Sequence, residues 1–309
     1  MYAYINRVPF CGPWGGGIHF INAVHNYFPE NGYELLKPKQ LIKTKTRPDL
    51  MMIAGFTAED GELSAEQILE YRNYIKPHHR TKIILRINEC DARKRTMHVD
   101  SYIRVLVSKV DGCVFVSQWM HDYFVNKDWP CRHNKVIVNG VDPEVFHSYE
   151  REVKSDKIRI FSAHWSDNTM KGADVSEFVD KFCYERKDQY EFTYIGRCNV
   201  PFHKCTKRVE PIFGSALAKE MCQYDVCING TKQDPGPNSV IEPIACGIPT
   251  YVRKEGGGAP EFAGADHVFD DFESLKTILL SKSFTPNSRK FVTWQDYVKQ
   301  YIAFCDKIV

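Results

Sequence analysis

Short apolar runs recur along nearly the whole chain, and between them the sequence turns amphipathic with helical spacing. A strand buried on both faces reads as such a run, and strands alternating with helices build a parallel sheet covered by helices on its two sides. Disorder is therefore not the default. In the first half the runs predict strands over 2–6, 50–54, 82–87, 113–116 and 135–138. A charged stretch at 148–157 has little apolar periodicity and reads as a boundary. The pattern then restarts, with strands predicted over 158–162, 191–195, 225–228, 250–252 and 267–269.

With 309 residues and 43% apolar side chains, the chain is long enough for two α/β domains, each with its own core. Val175, Phe178, Val179 and Phe182 follow an i, i+3, i+4, i+7 spacing and make one buried helix face. From 287 onward, Trp294, Tyr297, Val298, Tyr301, Cys305 and Ile308 also recur at helical spacing, so this segment must bury a face. No internal repeat or low-complexity tract interrupts the pattern.

Composition narrows the function. Lys and Arg number 41 against 39 Asp and Glu, a formal charge of +2, so no global field draws the chain onto nucleic acid. The 11 cysteines contain no Cys-x-x-Cys pair and read as reduced, mostly buried thiols rather than a disulfide framework or zinc ribbon. No signal-like core opens the chain and no stretch approaches the roughly 20 apolar residues of a membrane span, so a cytoplasmic location is expected. The sequon Asn229-Gly230-Thr231 is then incidental.

Five segments carry candidate chemistry. The glycine-rich stretch 11–17 lies between the first predicted strand and a helix. Gly16 and Gly17 there either expose backbone N–H groups to an anion or simply make a tight turn. Phe20 stands where the dinucleotide fingerprint needs its last glycine, which disfavours a nicotinamide-dependent dehydrogenase. Asn139-Gly140-Val141-Asp142-Pro143 is a turn on its chemistry alone. After the strand at 225–228 comes a loop with Asp234, then a helix starting near Asn238, followed by Ser239 and Val240 and carrying Glu242 one turn in. Helix N-termini bind phosphates through unpaired N–H groups and the macrodipole, and an ionised Glu242 can accept two hydrogen bonds from vicinal hydroxyls or merely complement the dipole. His164 and Lys171 follow the first strand of the second half, where open α/β sheets bind ligands; either is equally readable as structural or solvated. Arg86, Asn88 and Asp91 end the third strand of the first half and are acceptor-side candidates, with an internal ion pair as the plainer reading. Lys37, Lys39, Lys43, Lys45 and Arg47 form a basic cluster that suits either a solvated face or peripheral contact with a membrane. No Asp-x-Asp triplet, Walker loop, Gly-x-Ser-x-Gly or His-Glu-x-x-His occurs, so no metal is expected.

Taken together the motifs resemble the retaining glycosyltransferases of family four, also called glycosyl transferases group 1. The likeness rests on Asn139-Gly140-Val141-Asp142 with Phe146, on Val114-Phe115-Val116-Ser117, on 158–172 ending in Lys171-Gly172, on Glu242-Pro243-Ile244-Ala245-Cys246-Gly247-Ile248-Pro249, and on Gly256-Gly257-Gly258-Ala259-Pro260-Glu261. The resemblance implies an α/β protein of the GT-B fold, two Rossmann-like domains facing across a cleft. It divides the chain into an acceptor-side domain (1–147), a nucleotide-sugar domain (148–286) and a terminal helix (287–309) that packs on the first domain. The family's Glu-x7-Glu pair falls on Asp234 and Glu242, with Asp in the first place. By the resemblance, Asp234 holds the transferred sugar, Glu242 the ribose and Lys171 the diphosphate, with Asn238, Ser239 and Val240 assisting through their backbone. The family's partner arginine is missing, and His164 or Arg197 stands in for it. The implied partners are a UDP- or GDP-linked sugar donor and a glycan, glycolipid or other hydroxyl acceptor, with no cofactor and no nucleic acid. A sugar-nucleotide epimerase of the same architecture, or a non-catalytic nucleotide-sugar-binding module, fits the same motifs.

Overall fold

The computed structural model describes residues 1–308 except 11, 13–15, 44–45, 58–61, 77–78, 128, 130–132, 153–154 and 204–205. The chain divides into two compact units, each an α/β layer structure with a parallel sheet.

The first unit takes 1–11, 16–140 and 294–309. Its strands are β1 (Tyr2–Ile5), β2 (Glu34–Leu35), β3 (Leu50–Ile53), β4 (Lys82–Ile87), β5 (Gly112–Phe115) and β6 (Asn134–Val136), in the order β2-β1-β3-β4-β5-β6. Alternate residues feed opposite faces: Ala3, Ile5, Leu50, Met52, Ile84 and Val114 pack on one side, and Tyr4, Met51, Ile53, Ile83, Leu85 and Cys113 on the other. This period of two explains why these strands read as continuous apolar runs. The helix Trp294–Cys305 sets Tyr297, Tyr301 and Cys305 into the first of these faces, with Phe20 of the helix Gly16–Glu30 at 6.0 and 5.4 Å from the two tyrosine rings. Each large apolar side chain buried this way contributes about 1.5–3 kcal/mol, which holds the end of the chain to this unit.

The second unit contains β7 (Ile158–His164), β8 (Tyr190–Gly196), β9 (Lys207–Val209), β10 (Val226–Asn229), β11 (Thr250–Arg253) and β12 (Val268–Phe269). Their order is β12-β11-β10-β7-β8-β9, all parallel. The chain runs outward from β7 to β9, then returns to start again beside β7 with β10. Crevices at such reversals, outside the carboxyl ends of the strands, are where ligands bind in open α/β sheets. In the helix Ala173–Glu185, Val175, Val179 and Phe182 are buried, and Phe178 stacks on Phe272 at 4.8 Å.

All ten expected strands are present. Among the described residues two further strands, β2 and β9, are edge strands of two and three residues with no buried apolar run to announce them. The units divide after Gly140 and after Thr293, where the sequence reading divided at 147/148 and 286/287. The reason is local: the Val141 N–H donates to the Val292 carbonyl at 2.9 Å, and Val141 bridges to Thr293. The segments 141–147 and 287–293 are therefore held together within the second unit.

Candidate functional site

At the reversal of the second sheet, two loops meet backbone to backbone. After β7 a short 3-10 turn, Thr169–Lys171, ends at Gly172 with φ +81°. A Cβ on Gly172 would lie 2.3 Å from the Gly230 carbonyl carbon, so only glycine allows this approach in this conformation. The Lys232 N–H donates to the Met170 carbonyl at 2.8 Å, which fixes the β10 loop on the β7 loop. The side chains then converge: Lys171 Nζ lies 2.7 Å from Asp234 Oδ2, with the two side chains 17% and 10% exposed. At that burial the pair is shielded from most solvent screening.

Asp234 is held from three directions. Its Oδ1 accepts the Gly236 N–H at 3.2 Å. Its own N–H donates to the Gly256 carbonyl at 3.1 Å, and its carbonyl accepts the Gly258 N–H at 2.8 Å. Gly257 lies between with φ +74°, and a Cβ there would stand 2.5 Å from the Asp234 carbonyl oxygen. The three glycines after β11 therefore form the seat of the Asp234 peptide.

The helix Asn238–Ala245 starts directly beyond this loop. Its N-terminus has no side-chain cap at Pro237. Asn229, buried at the end of β10, fixes the first turn by donating from Nδ2 to Ser239 Oγ at 3.0 Å, while its Oδ1 accepts the Thr231 N–H at 3.1 Å. Val240 is fully buried in the same turn. Glu242 is half-buried. Desolvation pushes its pKa up to about 8, against the opposing hydrogen bond with Asn238. This alters the expectation of an ionised Glu242: at neutral pH the group is mostly protonated, and it offers one O–H donor and one acceptor to a diol.

The other expected residues distribute as follows. His164 is buried at the end of β7, and its carbonyl accepts the Arg197 N–H at 3.1 Å. Arg197 is exposed, with its guanidinium 4.5 Å above the Trp165 ring. In the first unit, Gly16 and Gly17 open the helix Gly16–Glu30, while 11 and 13–15 of the glycine-rich stretch lie outside the described residues. Arg86 is turned into the core: it is 2% exposed, stacks 4.3 Å above Phe20 and donates to Asn139 Oδ1 at 3.1 Å. Asp91 organises its own loop. Although desolvation opposes it, hydrogen bonds from the Thr96 hydroxyl and the Asp100 and Val99 N–H groups hold its carboxyl below the usual range. Asn88 is half-buried between them. Arg86 and Asp91 are thus engaged in packing and loop closure. Of the basic cluster, Lys37 and Lys39 are exposed and Arg47 donates to the Tyr71 hydroxyl at 3.4 Å; Lys45 and the Lys43 side chain lie outside the described residues.

One further group stands beside the Lys171–Asp234 pair. The Asp174 carboxylate takes Arg253 through two bonds at 3.1 and 2.8 Å and Lys232 Nζ at 2.9 Å. Nothing in the residue pattern marks Asn229, Asp174 or Arg253, whose roles arise from contacts between loops distant in sequence. Among the described residues, no three His, Cys, Asp or Glu side chains gather as a metal-ligand set, and no helix is long and apolar enough to cross a membrane.

Two Rossmann-like α/β units, the second with strand ends that converge on a lysine, an acid and a helix N-terminus, define a protein of the GT-B fold. No family model matches the chain, and no curated protein matches it by sequence. Among solved structures it is similar to Anabaena Alr3699/HepE in complex with UDP and glucose, at 14% identity over 99% of this chain and 97% of that one, with a TM-score of 0.65. It is similar also to sucrose-phosphate synthase from Thermosynechococcus elongatus (12% identity, 99% and 96% covered, TM-score 0.67). A third is AviGT4, a glycosyltransferase involved in avilamycin A biosynthesis (12%, 99% and 97%, 0.64). At these identities the likeness is one of fold.

Proposed function

We propose that this chain is a glycosyltransferase that moves a sugar from a UDP- or GDP-linked donor to the hydroxyl of a glycan, glycolipid or other acceptor, with retention at the anomeric carbon and without a metal. The observation that carries the reading is the 2.7 Å Lys171–Asp234 pair at the reversal of the second sheet, beside the helix that bears Glu242. HepE, of the same fold, binds UDP and UDP-glucose in solved complexes, and the absence of an Asp-x-Asp triplet supports a metal-free site.

In this reading Glu242 binds the ribose diol, Lys171 and the helix N-terminus bind the diphosphate, and Asp234 faces the sugar. As the anomeric C–O bond to the diphosphate breaks, negative charge grows on the departing oxygen. Lys171 and the backbone N–H groups stabilise it more in the transition state than before. The acceptor oxygen forms the new C–O bond, and its proton passes to the leaving phosphate, so no protein nucleophile is required.

The test is a panel of nucleotide sugars screened by thermal shift, followed by product analysis with and without hydroxyl acceptors. A UDP- or GDP-sugar should raise the melting temperature in proportion to saturation and give a glycosylated acceptor. No stabilisation by any member, or conversion of the donor alone into an epimer, would overturn the proposal.

A further inference from the structure

We propose that Asp174 is a positioning residue for this site, a carboxylate that ties the loops after β7, β10 and β11 together and thereby helps set where Lys171 stands. The inference rests on the reading of Lys171 as the diphosphate-binding cation. Its geometric part stands independently of that reading.

Three strand ends meet at Asp174. From β7, the chain passes through Lys171 and the αL residue Gly172 into the helix Ala173–Glu185, so Asp174 lies one turn beyond Lys171. From β10, Lys232 brings its ammonium to Asp174 Oδ2 at 2.9 Å, two residues before Asp234. From β11, Arg253 lays its guanidinium fork on both carboxylate oxygens at 3.1 and 2.8 Å. Arg253 is 9% exposed, and its Nη1 also approaches the Gly230 carbonyl at 3.5 Å. That carbonyl belongs to the peptide on which Gly172 is packed. Desolvation raises the Asp174 pKa, but Arg253 and Lys232 outweigh it and keep the carboxyl below its usual range, so it is charged at neutral pH.

The consequence follows from leverage. Lys171 meets Asp234 only because the β7 and β10 loops are in register, and the Asp174 clamp crosses that junction and anchors it to β11. Without its charge, a buried guanidinium loses its bidentate partner and Lys232 its ion pair, so the Lys232–Met170 backbone bond and the Gly172–Gly230 packing hold the two loops without the side-chain clamp. Misplacement by about 1 Å costs on the order of 100-fold in rate where catalysis depends on alignment. The ground-state grip on a flexible diphosphate suffers less, so turnover should fall more than donor affinity.

The experiment uses the full chain with Asp174→Asn, and with Arg253→Lys as a milder variant that keeps the charge and loses the fork. Two readouts are taken well below the melting temperature. The first is exchange of the Lys171 ammonium protons by 15N NMR, assigned with Lys171→Arg. The second is kcat and KM for whichever nucleotide sugar the wild type turns over. Asp174→Asn should lose the Lys171 exchange protection at least fivefold, and its kcat should fall at least tenfold with donor KM changed less than threefold. Arg253→Lys should lie between it and the wild type. If the Lys171 signal is unchanged in both variants while only the melting temperature falls, Asp174 is merely structural and the proposal is overturned. If the wild type turns over no nucleotide sugar, the donor reading fails, and the NMR arm still decides the clamp. Should Asp174→Asn not fold, the same exchange criterion applied to Arg253→Lys decides it.

Discussion

Replacing Glu242 with Gln isolates the effect of one desolvated proton. The carboxyl pKa is about 8 in the folded chain against a reference of 4.5. Between those values the folded state holds a proton that the unfolded chain has released, so stability decreases as pH rises. The sign follows from linkage: a folded pKa above the unfolded one gives a contribution fully present below 4.5 and lost as pH rises through 8. The full penalty is about 5 kcal/mol at 1.36 kcal/mol per pKa unit, and about 4 kcal/mol of it falls between pH 5 and 9. Gln is nearly isosteric with the protonated acid and does not titrate. Urea unfolding of both proteins at pH 5, 7 and 9 should therefore show the stability difference moving toward the Gln variant by several kcal/mol. A difference constant to within about 0.5 kcal/mol over that range would refute the argument, because Glu242 would then titrate in the fold as it does in the unfolded chain.

Three further outcomes are expected. In a double-mutant cycle on Lys171→Met and Asp234→Asn, denaturation should give a coupling of about 1–2 kcal/mol for this largely buried pair, and a value near zero would deny the ion pair a role in holding the loops. Gly257→Ala forces a side chain into a backbone with φ +74° and into contact with Asp234; a loss of about 2 kcal/mol or more by chemical denaturation is expected, and an unchanged midpoint would show that the glycine seat is dispensable. Arg86→Met should lower stability by about 1–3 kcal/mol while leaving acceptor kinetics per folded molecule unchanged, since Arg86 faces Phe20 and Asn139. A tenfold rise in acceptor KM with an unchanged melting temperature would return Arg86 to the acceptor side.

Much of the fold is legible in the sequence because parallel strands buried on both faces leave continuous apolar runs, as at 50–53, where every residue is fully buried. The short edge strands β2 and β9 are not legible, since neither holds a buried residue, whereas the equally short β6 and β12 are marked by the buried Ile137, next to β6, and Phe269. Asp234 and Lys171 could be singled out by their place after strand ends, and the structure brings them into contact. Arg86 packs on Phe20 for a physical reason. A guanidinium at a strand end reads as a polar site group, yet its planar face stacks on an aromatic ring as readily as its edge binds an anion. Asp91 is engaged in another way, because a carboxylate near a helix start can satisfy nearby N–H groups, here those of Val99 and Asp100. Asp174 and Arg253 are 79 residues apart, and only the order of the sheet brings them together.

The charge state of Glu242 bears on how the site tolerates an anion. The cations Lys171, Lys232 and Arg253 at this edge are matched by Asp234, Asp174 and Glu255, so the named ion pairs carry no net charge. An ionised Glu242 would add a negative charge at the helix that the proposed diphosphate must approach. Held neutral by desolvation, it adds none, and in the proposed function the diphosphate meets the helix N-terminus and Lys171 with Asp234 as the carboxylate paired to that lysine. Under the proposed function, desolvation of Glu242 would serve binding in the same site where it costs stability, and the Gln variant separates the two. It should gain stability at high pH while it retains hydrogen bonding to a diol through its amide.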